Sequence, residues 1–129
     1  MGKLRVLVAD DNDAMRRSAV RRLESVFDVI GSVCSGDALV TAVLALEPDV
    51  VVSDIEMPGL TGPRAMRAIR QSGNLVPFVF ITAGVVNAQL WLDAGAAGVV
   101  HKMDLNTDLV PAVEAAAGGR TFISKSIVS

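Results

Sequence analysis

Three consecutive valines, Val50-Val51-Val52, run through Ser53 into a carboxylate, Asp54, and Ile55-Glu56-Met57-Pro58-Gly59 then turns the chain. β-Branched side chains are stiff at χ1 and fit strands. A run without polar alternation fits a strand covered on both faces, as in parallel sheets. In open parallel α/β sheets, ligands bind beyond the carboxyl ends of the strands, and Asp54 stands at such an end. A carboxylate there can be a metal ligand, a nucleophile or a turn-former.

Comparable runs recur along the chain, separated by helical patterns. Leu4 to Ala9 reads as a first strand closed by Asp10-Asp11-Asn12-Asp13, with Asp13 as helix N-cap. Met15, Ala19, Leu23 and Val26/Phe27 then share one helical face, with Arg16, Arg17, Arg21 and Arg22 elsewhere on a solvated side. Val29 to Val33 is a second, weaker strand, and Leu39, Ala42/Val43 and Leu46 mark a second helix that stops before Pro48. Pro63 opens a third helix with Ala65, Met66 and Ile69 inward and Arg64, Arg67 and Arg70 outward. Val76 to Ile81 is a fourth strand ending in Thr82, and a short, poorly patterned helix covers Ala88 to Ala94. Val99-Val100 is a fifth strand leading to His101-Lys102, with His101 turned to the opposite side from Lys102. The last helix spans Leu109 to Ala117, with Pro111 in its first turn, and Gly118-Gly119 stops it. Strands alternating with helices predict an α/β fold with a parallel sheet. Right-handed crossovers favour a flavodoxin-like (βα)5 doubly wound sandwich of five parallel strands in the order 2-1-3-4-5.

A chain of 129 residues makes one domain with a proper core. No apolar run is long enough for a membrane span, and Met1-Gly2-Lys3-Leu4-Arg5 lacks the layout of a signal peptide. Cys34 is the only cysteine, which fits a reducing cytoplasm; it reads as a small buried hydrophobe. A net charge of −2 argues against nucleic acid binding by this chain alone.

Polar groups stand at the ends of four strands: Asp10 and Asp11, Asp54, Thr82 and Lys102. The fold brings those ends to one edge. Crowded carboxylates repel, and a divalent cation with oxygen ligands relieves them; Mg²⁺ suits few carboxylates plus water and phosphate. A lysine offers a point charge to a phosphoryl oxygen and a threonine offers a hydroxyl donor. Two carboxylates for a metal, one free to attack, an ammonium and a hydroxyl make a phosphoryl-transfer site. Singly, each reads as a cap or turn residue; the coincidence across strands one, three, four and five carries the reading.

The stretches Val8-Ala9-Asp10-Asp11, Asp54 to Gly62, Ile81-Thr82-Ala83, Ala94 to Gly98 and Lys102 resemble the receiver domain of two-component response regulators. Gly118-Gly119-Arg120-Thr121-Phe122-Ile123-Ser124 resembles the stretch that closes receivers of the NarL/FixJ (LuxR-type) subgroup. The resemblance implies that Asp54 accepts a phosphoryl group from a sensor histidine kinase or a small donor. It implies that Asp10, Asp11, Asp54 and the backbone carbonyl of Glu56 hold Mg²⁺, that Lys102 pairs with the phosphoryl group, and that Thr82 donates to it. It further implies a switch of the fourth helix, fifth strand and fifth helix, a homodimer through that surface, and no activity beyond self-phosphorylation and autodephosphorylation. Residues 1–120 are then the receiver and 121–129 the start of a linker or tail; the chain reads as a receiver excised from a regulator with a DNA-binding output domain, or else as a stand-alone receiver. Two features depart from the family's pattern. Val99 stands where an aromatic is usual, and the segment from Thr82 to Lys102 is roughly two residues short. Phe122-Ile123 reads as pinning the tail, and Trp91 as core packing.

Other classes read the residues differently. Asp11-Asn12-Asp13 spells the Asp-x-Asp of haloacid-dehalogenase phosphatases, with Asp11 as nucleophile and Asp13 as acid, but in a chain short for that class. A receiver-shaped interaction module that signals without phosphate is the alternative suggested by Val99 and the short loop after Thr82. A flavodoxin is disfavoured because no Ser/Thr-Gly-rich phosphate loop follows the first strand.

Overall fold

Val51 faces one side of a sheet and Val50 and Val52 the other, all three fully buried. This strand, β3 (Val50–Asp54), is the centre of the computed structural model, which describes residues 3–84 and 87–127. Each such valine contributes about 1.5–3 kcal/mol by burial. The elements follow in strict alternation: β1 (Arg5–Ala9), α1 (Asp13–Glu24), β2 (Asp28–Val33), α2 (Gly36–Leu46), β3, α3 (Gly62–Gln71), β4 (Phe78–Thr82), α4 (Ala88–Asp93), β5 (Gly98–His101), α5 (Leu105–Ala117) and β6 (Phe122–Ile123). All strand pairs are parallel, in the order β2-β1-β3-β4-β5-β6. The predicted order holds, with a sixth strand added at the edge. Phe122 and Ile123 do pin the tail, and they do it by pairing with Gly98 and Val99.

Helices cover both faces. Ala19 and Leu23 of α1 and Leu109, Ala112 and Val113 of α5 pack with Val6, Val8, Val50, Val52, Val79 and Val100. On the other side Leu39 and Val43 of α2 and Met66 and Ile69 of α3 pack with Leu7, Val51, Phe78 and Phe80. A third, smaller cluster joins Ala88, Val99 and Ile127, with Trp91 and Ile123 against it. No described helix is long and apolar enough to cross a membrane.

Two glycines let the loops close tightly. A Cβ on Gly36 would lie 1.8 Å from the Leu60 carbonyl oxygen, and one on Gly62 would lie 2.3 Å from that of Asp54. Both positions exclude any side chain.

Several local expectations need correction. Asn12, not Asp13, caps α1, its side chain accepting the Met15 N–H at 3.0 Å. Asp13 instead pairs with Arg16 at 2.6 Å. Helix α5 begins at Leu105, so Pro111 lies inside it; Pro111 and Thr107, whose carbonyl loses its helical partner, are both exposed to water. Cys34 is exposed, just past the end of β2. Val26 and Leu46 are exposed rather than core. Of the triplet on α4, Leu90 points outward and Trp91 packs edge-on to Phe80, with ring centroids 6.2 Å apart. The shortened connection before α4 includes Val85 and Val86, which lie outside the described residues.

Candidate functional site

The parallel register brings the polar strand ends together. Ala9 lies beside Ser53, Asp54 beside Ile81, and Thr82 beside His101. Asp10 therefore follows β1 at the level where Asp54 ends β3 and Thr82 ends β4. All three are buried, at 3%, 6% and 6% exposure, whereas Asp11 is exposed. Carboxylate oxygens of Asp10, Asp11 and Asp54 lie within 4.8 Å of one another. Lys102, the first residue after β5, donates from Nζ to Asp54 Oδ2 at 3.2 Å. The Glu56 N–H makes a long hydrogen bond of 3.4 Å to Asp54 Oδ1. Thr82 Oγ1 accepts the Gly84 N–H at 3.2 Å, so its own O–H is free to donate. Every predicted site residue thus lies at this one edge.

The electrostatics are unbalanced. Burial pushes the Asp10 carboxyl above its ordinary range, and the neighbouring Asp54 carboxylate adds to the rise. The Asn12 N–H, donating to Asp10 Oδ1 at 2.9 Å, and Lys102 pull the other way. Three carboxylates against one ammonium leave a net negative cluster. Two of them are buried and one exposed, an oxygen donor set that fits a hard divalent cation keeping part of its water shell.

Asp54 also borders a cleft of about 340 Å³ lined by Glu56, Thr82, Gly84, Trp91 and Lys102. Among the described residues it is the one shared by the acidic cluster and this cleft. A cation on one side and an oxyanion on the other would both meet its carboxylate.

Sequence reading missed several supporting residues. Ser53, fully buried, donates to the Asp54 carbonyl at 2.8 Å, and its signal was a lone hydroxyl in a valine run. Arg16 donates to the Asp10 carbonyl at 3.0 Å, although the arginines of α1 read as a solvated face. Gly62 leaves room beside Asp54, and Trp91 walls the cleft. His101 is structural: its Nδ1 accepts the Met103 N–H at 3.1 Å. Asp13 is unsuited to act as an acid, because Arg16 holds its carboxyl below the usual range.

This constellation on a doubly wound parallel sheet defines a signalling receiver. A family model for the response regulator receiver domain matches residues 6–114, and the chain belongs to that family. It is 30% identical over 129 residues to the nitrate/nitrite response regulator protein homolog of Haemophilus influenzae, covering 97% of this chain and 62% of that protein. It is 40% identical over 108 residues to a protein-glutamate methylesterase/protein-glutamine glutaminase of a Nocardioides species, covering 79% of this chain and 30% of that protein. The receiver domain of the response regulator NarL from Mycobacterium tuberculosis superimposes with a TM-score of 0.87 at 32% identity, covering 93% of this chain and all of that one. The NarL-type relatives fit the chain to the NarL/FixJ subgroup of two-component signal transduction. The chain spans less than two thirds of the length of either curated relative.

Proposed function

We propose that Asp54 is the phosphoacceptor of this receiver. The observation that carries the reading is its double membership: one buried carboxylate closes the acidic cluster and also opens onto the Thr82–Lys102 cleft. A carboxylate oxygen of Asp54 attacks the phosphorus of a donor, a kinase phosphohistidine or an acyl phosphate. The new O–P bond forms as the donor's bond to phosphorus breaks, and the leaving group takes that electron pair. Lys102, already 3.2 Å from Asp54 Oδ2, stabilises the added phosphoryl charge, and the Thr82 hydroxyl donates to one of its oxygens. Asp10, Asp11, Asp54 and the Glu56 carbonyl hold Mg²⁺. When bound, Mg²⁺ offsets the repulsion between the carboxylates and the incoming phosphoryl oxygens.

The acyl phosphate carries about −1.5 to −2 charge in place of a single carboxylate. Hydrogen bonds to charged groups contribute roughly 1.5–3 kcal/mol each. That is enough to shift an equilibrium between conformations a few kcal/mol apart. The surface that answers is α4, β5 and α5, and a homodimer through it is the readout. A sensor histidine kinase is the donor, the cytoplasm the compartment, and the only chemistry is on the chain's own aspartate. Residues 1–120 form the receiver and 121–129 begin the link to an output. A relative named as a probable transcriptional regulatory protein favours an output that controls transcription.

The test is intact mass after incubation with Mg²⁺ and acetyl phosphate. One added phosphoryl group is expected, lost without Mg²⁺ and lost in Asp54→Asn. No addition to folded, Mg²⁺-binding protein would overturn the reading and leave a receiver-shaped module that works without phosphate.

A further inference from the structure

We propose that Trp91 couples the Asp54 cleft to the C-terminal tail: an anion that fills the cleft draws the indole off the tail and loosens residues 125–127. The proposal rests on the phosphoacceptor reading above. Trp91 touches both places. It lines the cleft together with Asp54, Thr82 and Lys102. It also packs on the cluster of Ala88, Val99 and Ile127, with Ile123 beside it.

Up to Ser124 the tail is fixed firmly, because Ser124 Oγ donates to Asp108 Oδ2 at 2.7 Å and accepts the His101 N–H at 3.1 Å; only residues 125–127 depend on the apolar packing. The Ser124 N–H donates to the Val99 carbonyl at 3.0 Å, and the Ile127 N–H returns to the Ser124 carbonyl at 3.0 Å. Ile127 itself is buried, 7% exposed, so its apolar contact is what seats the last described turn.

The indole has a reason to move. Its Nε1–H is buried without an acceptor among the described residues. Buried donors nearly always find partners, and an orphan is destabilising. A phosphoryl group brings acceptor oxygens into a cleft that this side chain lines. The helix that carries it yields readily: α4 has six residues, of which only Ala88 is buried. Trp91 meets Phe80 edge-on, with rings inclined at 65°, and is only partly buried against the core cluster on that side.

Trp91 is the only tryptophan and the chain has no tyrosine, so protein fluorescence reports this side chain alone. The probe is beryllium fluoride with Mg²⁺, added to the full chain. The expected result is a shift in Trp91 emission and several-fold faster tryptic cleavage after the exposed Lys125, read by mass. Asp54→Asn should show neither. Trp91→Phe keeps a ring but has no N–H, and its cleavage rate should no longer respond; Ile127→Ala, outside the cleft, should still gain mass from acetyl phosphate while its cleavage after Lys125 is fast with or without the anion. Wild-type protein that gains the phosphoryl mass but shows unchanged emission and cleavage would overturn the coupling alone. So would a Trp91→Phe variant whose cleavage responds like wild type. Absence of the mass gain in wild type would instead remove the phosphoacceptor reading, and the coupling with it.

Discussion

Asp10 is a carboxylate held where burial and a neighbouring like charge both oppose its ionisation. Its folded pKa is raised above the unfolded value of about 3.9. The native state therefore binds the proton more readily. The contribution of this group to stability is fullest below the unfolded pKa and declines as pH rises through the folded one. At neutral pH it is a standing cost. Asp10→Asn keeps an oxygen for the Asn12 N–H and removes the charge. The metal-free variant should melt a few degrees higher at pH 7, since 1 kcal/mol corresponds to about 2–8 °C in domains of this range. Saturating Mg²⁺ should reverse the order, because ligand that binds only the folded state stabilises the wild type by mass action. Thermal melts with and without Mg²⁺ check both halves. A variant less stable than wild type without metal would mean that the charge is better compensated than this geometry indicates.

At the scale of elements, tight loops decide as much as strands. The backbone at Gly36, which opens α2, nearly touches the Leu60 carbonyl in the loop before α3. Gly36→Ala forces the two apart. Overpacking of this kind costs about 1–3 kcal/mol, so the denaturant midpoint should fall while the arrangement of Asp54 and Lys102 stays intact. An unchanged midpoint would mean that the loop relaxes freely. The same scale shows what the sequence made legible. Strands β1, β3 and β4 were plain because each is a short apolar run buried on both faces. Helix α3 was plain because Ala65, Met66 and Ile69 form one stripe between outward arginines. Helix α4 was not, since Leu90-Trp91-Leu92 has no stripe and the helix buries only Ala88. The start of α5 was hidden behind a 3-10 turn at Lys102–Asp104 and behind Pro111, which looked like a first-turn residue. Two residues of β6 carry no period of their own; only the open edge of β5 makes them a strand.

For the whole molecule, the strand order is what turns scattered residues into a site. Asp10, Asp54, Thr82 and Lys102 were legible because each follows an apolar run, and a parallel sheet places every run's end on one edge. Ser53, Gly62 and Trp91 were not, because their roles depend on which loop packs over which strand. The tail completes the sheet. Deleting residues 121–129 would uncover the β5 edge and strip Ile123 and Ile127 from Val99 and Ala88. Exposed strand edges invite pairing between chains. The truncated protein should therefore melt lower and elute larger, or trail, in size-exclusion chromatography; monomeric elution with an unchanged melt would show that the edge protects itself. Such sizing experiments must reckon with Cys34. This exposed thiol, the only one in the chain, sits at the rim beyond β2. In aerated buffer two molecules can join sulfur to sulfur, and the covalent pair would pass for a signalling dimer while owing nothing to phosphate. Reductant, or Cys34→Ser, separates the two. The same thiol also offers a single chemical handle for anchoring the protein to a surface or a dye without disturbing its core.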